Sequence, residues 1–159
     1  MLVALLIFIS MSIFSQPKLP SSWQPGMKLT MKYGSGMRYY SYTLEISDSG
    51  SIFTENEEGR ITQYKMPLTK KELDSLLLVL NDNHFASIKT EMTGPAHDKG
   101  TETISLVWGN HYVGVSEGYA QDVMEKDKSR YSTVCQYGYQ LMEKTKKKGI
   151  SMPVEKEPD

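Results

Sequence analysis

The sequence predicts an α+β domain: an antiparallel sheet of about six strands with two helices on one of its faces. Three observations carry this. Residues 27–66 alternate apolar and polar side chains with period two, broken by short glycine-containing turns. Thr69-Lys70-Lys71-Glu72 opens a leucine-striped helix with a capping box. Gly109-Asn110 joins two further alternating runs as a two-residue hairpin, and an apolar stripe of helical period follows. The order is therefore a four-strand meander, helix, hairpin, helix.

In the first strand Leu29, Met31 and Tyr33 alternate with Lys28, Thr30 and Lys32, which makes one face apolar. Gly34-Ser35-Gly36 turns the chain. Tyr40, Tyr42, Leu44 and Ile46 then alternate with Tyr39, Ser41, Thr43 and Glu45. Asp48-Ser49-Gly50 is the next turn, residues 51–55 a short strand, and Glu57-Glu58-Gly59 a third turn into Arg60–Met66. Connections this short join antiparallel neighbours.

In the capping box the Thr69 hydroxyl accepts the Glu72 amide and the Glu72 carboxylate reaches back. Leu68 and Leu73 are placed for a hydrophobic staple, and Leu73, Leu76, Leu77 and Leu80 form one stripe. Asn81-Asp82-Asn83 ends the helix, and Phe85 and Ile88 return to the core. Residues 90–100 read as a polar loop. In the hairpin, Trp108 faces His111, Leu106 faces Val113 and Ile104 faces Val115 on the apolar side. Thr103, Ser105, Val107, Tyr112 and Gly114 occupy the other side. Tyr131, Val134, Cys135, Gly138, Leu141 and Met142 then mark the last helix, with Lys144, Lys146, Lys147 and Lys148 in its final turn and Gly149 as its stop. Residues 117–130 read mostly as loop.

The organisation is a signal peptide over residues 1–15, an extended arm over 16–26, one domain over 27–148 and a flexible tail over 149–159. The first fourteen residues are almost uniformly apolar, and no charged side chain precedes Lys18. The run falls short of the ~20 residues that span a bilayer, so it reads as a secretory signal rather than an anchor. Cleavage is placed near Ser15, with Ser12 as the competing position and an uncleaved anchor as the alternative. The protein is thus expected to be exported, periplasmic or secreted, without an integral membrane span after cleavage. Pro17, Pro20 and Pro25 keep the arm extended, and Trp23 is placed to tack it onto the body. Cys135 is the only cysteine, so neither an intrachain disulfide nor a lipid anchor on a cysteine after the apolar run is available. A net charge of −1 argues against nucleic acid, which wants a basic face.

Candidate chemistry is sparse. His84, His97 and His111 lack the short spacing of zinc ligands, and Asp48 alone does not make a calcium loop, so no metal or other cofactor is expected. Cys135 falls on the apolar stripe and reads as a small core hydrophobe. Glu55, Glu57 and Glu58 at one tip, and the lysines of the last helix at another, read as solvated charges. His97-Asp98 offers an acid–base pair on a loop, although no nucleophile motif accompanies it. The sequence resembles small exported bacterial proteins of unknown function. The likeness lies in Tyr33-Gly34-Ser35-Gly36-Met37-Arg38 before the second strand, Asp98-Lys99-Gly100-Thr101 before the hairpin, and Tyr112-Val113-Gly114-Val115-Ser116 within it. The resemblance implies export and carries no activity or site.

The feature that points to function is aromatic. Alternation turns Tyr39 and Tyr112 to the sheet face opposite the helices, beside Val107 and Ile61. Uncovered aromatic and apolar patches mark interaction surfaces, unless the arm around Trp23 covers them. The chain therefore reads as a non-enzymatic binding module for a protein or envelope component, with Tyr39, Tyr112 and Val107 as candidate contacts. The alternatives are a small hydrolase using the His97–Asp98 loop and a structural accessory subunit of an envelope assembly.

Overall fold

The computed structural model describes residues 18–35, 40–95 and 99–152. Its elements are β1 (Lys28–Gly34), β2 (Tyr40–Ser47), β3 (Gly50–Glu57), β4 (Arg60–Met66), α1 (Lys70–Asp82), β5 (Thr90–Met92), β6 (Thr101–Trp108), β7 (His111–Glu117), β8 (Gln121–Val123), α2 (Lys128–Lys148) and β9 (Ile150–Met152). Seven of the described strands form one antiparallel sheet in the order β7-β6-β1-β2-β3-β4-β9, and β5 and β8 pair in a second, two-stranded sheet. The fold is α+β.

The hairpin forms in the register its turn dictates: Trp108 opposes His111, Val107 opposes Tyr112, Leu106 opposes Val113 and Ile104 opposes Val115. Gly109 has φ 51°, the positive value that a type II′ turn requires at its first central residue. The meander aligns Leu29 with Ile46 and Met31 with Leu44, so the apolar side chains of successive strands fall on one face. Both helices cover that face. Leu73, Leu76, Leu77 and Leu80 from α1, and Val134, Cys135, Leu141 and Met142 from α2, join Leu29, Met31, Leu44, Ile46, Ile104 and Leu106 in a single core. Within it lies a buried hydroxyl pair, Ser51 Oγ and Thr145 Oγ1 at 2.8 Å, and each hydroxyl also meets a backbone carbonyl, Met66 and Leu141 respectively.

The capping box is formed. Glu72 donates its amide to the Thr69 hydroxyl, and the Glu72 carboxylate accepts the Thr69 amide at 2.7 Å. The arm lies on the helical side of the sheet. Trp23 is 5% exposed; its amide donates to Asp74 at 2.8 Å and its indole to Asp48 at 3.0 Å, while Asn81 Nδ2 donates to the Pro20 carbonyl. The described part of the arm therefore leaves the opposite face of the sheet clear.

Three regions depart from the expectation. The stretch read as loop contains β8, a short 3₁₀ turn at Glu125–Asp127 and the first turn of α2. Its folding rests on Asp127, a carboxylate 1% exposed that accepts the Lys89 amide at 2.9 Å and pairs with Arg130. The Lys89 amide, with the Arg130 guanidinium second, holds that carboxyl below its usual range. The polar loop yields β5. The tail is not loose from its start, because Ile150–Met152 pairs with Gln63–Lys65 as β9. Each of these strands is three residues long and is ordered by main-chain pairing, which needs no side-chain periodicity.

Candidate binding surfaces

Two surfaces stand out, one on each face of the sheet. The outer face carries the predicted contacts. Val107 and Tyr112 oppose one another across the hairpin, and they are 40% and 65% exposed. The Tyr112 ring lies along its strand over Gly114, so its hydroxyl occupies the space a Cβ on that glycine would need. Ile61, 48% exposed, lies on the same face toward the other border of the sheet. Between them run Thr30, Thr43, Thr54 and Thr103, with Lys28, Lys32, Lys65 and Glu45. Lys28 and Glu45 form an ion pair at 2.7 Å; Lys32 and Lys65 have no carboxylate partner among the described residues. Tyr39 lies outside the described residues, as do His97, Asp98 and the apolar N-terminal run.

The inner face carries a feature that sequence reasoning missed. At the end of the sheet away from the hairpin turn, Tyr33 and Tyr42 stack at 5.4 Å, Tyr40 meets both at 6.3 Å, and the series continues through Phe53 to Tyr64. The Tyr42 hydroxyl reaches across β1 and donates to Glu102 at 2.7 Å. Tyr139 comes down from α2 and donates to both oxygens of the same carboxylate at 2.8 Å. Tyr40 donates to Glu55 at 3.2 Å, and Lys146 pairs with Glu55 at 2.7 Å. Burial, with the adjoining Glu102 carboxylate second, pushes the Tyr42 and Tyr139 hydroxyls above the ordinary tyrosine range, so both remain protonated donors at any physiological pH.

Behind this group Tyr131 is buried with a hydroxyl that finds no hydrogen-bond partner among the described residues, close to the Cys135 thiol. Burial, and then the Glu102 charge, raise the thiol far above its usual value. Such an environment suppresses the thiolate that nucleophilic chemistry needs. Met142, Tyr139 and Tyr40 wall a cleft of about 240 Å³ over the Tyr42 and Phe53 rings, with Glu55, Glu143 and Lys146 at its rim.

The remaining sequence candidates stay apart. His111 rests against Trp108 with ring centroids 5.2 Å apart, and His84 takes a left-handed conformation at the end of α1. Asp48 is occupied in holding the arm, accepting the Trp23 indole and the Gly26 amide. Among the described residues no three His, Cys, Asp or Glu side chains converge as metal ligands, and no helix is long and apolar enough to cross a membrane. No protein-family model matches the chain, and no curated protein is similar to it.

Proposed function

We propose that this chain is an exported, non-enzymatic binding module that uses the outer face of its sheet. The observation that carries the reading is the position of the arm and both helices on the inner face, which leaves Val107 and Tyr112 side by side in solvent, with Ile61 exposed at the opposite corner of the same face. Exposed apolar groups set among polar neighbours suit an interaction surface, and tyrosine offers large contact area at small entropic cost. Charge narrows the partner. Lys28, Lys32 and Lys65 outnumber Glu45 on this face although the whole chain is at −1, which suits a protein or envelope component presenting acidic groups beside apolar ones. Export rests on the apolar run ahead of Pro17 and Lys18, and on the resemblance to exported bacterial proteins.

The test is capture from envelope extract by the native protein, by the Val107→Ser/Tyr112→Ser double variant and by a Lys32→Glu/Lys65→Glu variant. A partner held by the native protein and lost by both variants, with thermal stability unchanged, supports the reading. Equal capture by all three removes it.

A further inference from the structure

We infer that β7 is a self-pairing edge: two copies of this chain join their sheets by antiparallel β7–β7 pairing about a twofold axis at Gly114. The main chain comes first. The two-residue turn makes Trp108 and His111 a hydrogen-bonded pair, so alternate residues of β7 from His111 onward bond β6, and Tyr112, Gly114 and Ser116 turn their N–H and C=O groups outward. Gly118 continues the alternation and exchanges both of its groups with Gln121, at 2.7 and 3.2 Å. After that bridge β8 leaves to pair with β5. The outward groups of Tyr112, Gly114 and Ser116 bond no main-chain partner among the described residues.

The two borders of the sheet are not alike. β9 has three residues, set between Lys148 and Pro153, and the stretch of β4 that it leaves uncovered begins with Arg60. Shortness, charge and proline guard an edge against association. β7 lacks all three. His111 to Ser116 contains no lysine, arginine, carboxylate or proline, and the register with β6 runs without a bulge.

Register identifies the occupant as a second copy. Outward groups pair only with outward groups, so a twofold axis has few places to fall. At Gly114 it sets Gly114 against Gly114 and Tyr112 against Ser116 twice, which uses every outward group of the three residues in both copies. An axis one residue to either side leaves one of the three residues unmatched. The axis at Gly114 also sets His111 against Glu117 of the second copy, a donor against a carboxylate, and half-buried Val113 against Val115. One residue further on, it would set Glu117 against Val113. Gly114 itself fits, because glycine inside a strand marks the close approach of another backbone. The Tyr112 ring already lies over it. Strands ~4.8 Å apart would bring the two rings side by side across the axis, within the ~4.5–7 Å of aromatic pairs.

The experiment is sedimentation velocity over a concentration series, with amide hydrogen exchange on the same samples. The paired strip is only about 20 Å long, so the expected result is a reversible dimer with a Kd in the tens of micromolar. Protection of the Tyr112, Gly114 and Ser116 amides should rise with concentration. Gly114→Glu and Gly114→Lys each set like charges against one another at the axis and should weaken self-association at least tenfold, while a mixture of the two should form a dimer again. Both should fold, since Gly114 has extended backbone and an added side chain first meets the phenol of exposed Tyr112, which can swing aside. A further variant, Gly114→Cys, should close a disulfide across the axis on oxidation, faster than Leu78→Cys on the exposed side of α1, because paired Cα atoms lie ~5.5 Å apart. Val107 and Tyr112 stay in place in all these variants, so self-association is read separately from capture of a partner by the outer face. A monomer at every concentration, a dimer indifferent to both charges, a mixture that stays monomeric or equal cross-linking at both cysteines would each overturn the inference. So would β7 protection that appears only with envelope extract, which would give the edge to a foreign strand.

Discussion

Gly138 of α2 stands directly over Met31 of β1: a Cβ at that position would lie 2.5 Å from the Met31 sulfur. This is where the long helix touches the centre of the sheet. Two effects oppose one another in Gly138→Ala. Alanine favours a helix interior by about 1 kcal/mol. The methyl also overpacks the core, because the thioether of Met31, 1% exposed, must shift among buried neighbours to make room, at a cost of ~1–3 kcal/mol. The expected outcome is net loss of stability, read as a lower denaturant midpoint at unchanged slope. An increase would show that the Met31 side chain repacks.

Thr69→Ala should cost about 1 kcal/mol through loss of the cap at α1. Leu77→Ala, at a side chain wholly buried in the core, should cost more, roughly 2–5 kcal/mol. Urea melts on the two variants check both the values and their order.

Acid should loosen the contact between the helices. Lys144 of α2 pairs with Glu72 of α1, and this pair, with the Thr69 amide second, holds the Glu72 carboxyl at about 2 against an ordinary 4.5. A carboxyl depressed in the folded state contributes stability that is present above its unfolded value and lost as pH falls through the folded one. The contribution should therefore fade between about pH 4.5 and pH 2. In Glu72→Gln that part of the acid dependence should be absent, as measured by melting temperature against pH.

The Cys135 thiol should resist labelling in the native protein. It is 6% exposed, and burial together with the Glu102 charge keeps it protonated. Labelling by a thiol reagent should proceed at the rate of unfolding and accelerate in denaturant. Fast reaction under native conditions would place the thiol at the surface.

Much of this fold is legible residue by residue. Gly109-Asn110 sets the register of β6 and β7, and Thr69 and Glu72 set the start of α1, because in each case the deciding groups are neighbours in the chain. The three-residue strands are not legible, since β9 exists only where β4 offers an edge to it. The outer-face position of Val107 and Tyr112 follows from alternation alone. The tyrosine–carboxylate group does not. Tyr42, Glu102 and Tyr139 come from β2, β6 and α2, and Tyr139 sits one residue from Gly138, at the margin of the apolar stripe. The available signal was composition: ten tyrosines, with Tyr40 and Tyr42 on one face of a strand.

The place of β1 in the sheet has a consequence for synthesis. Its neighbours are β2, which follows at once, and β6, whose pairing residues lie about 70 positions further along the chain. Non-local pairing of this kind is slow, because the intervening loop must close before the contacts form. A nascent chain that has emerged only as far as α1 holds a four-strand meander with Leu29 and Met31 beside an unpaired edge, a state open to association with other chains. The domain can complete its sheet only after Trp108 has appeared, and β4 gains its cover only with Ile150–Met152. Truncations that remove β6 should therefore yield aggregates rather than smaller folded units, and refolding of the whole chain should be favoured by dilution.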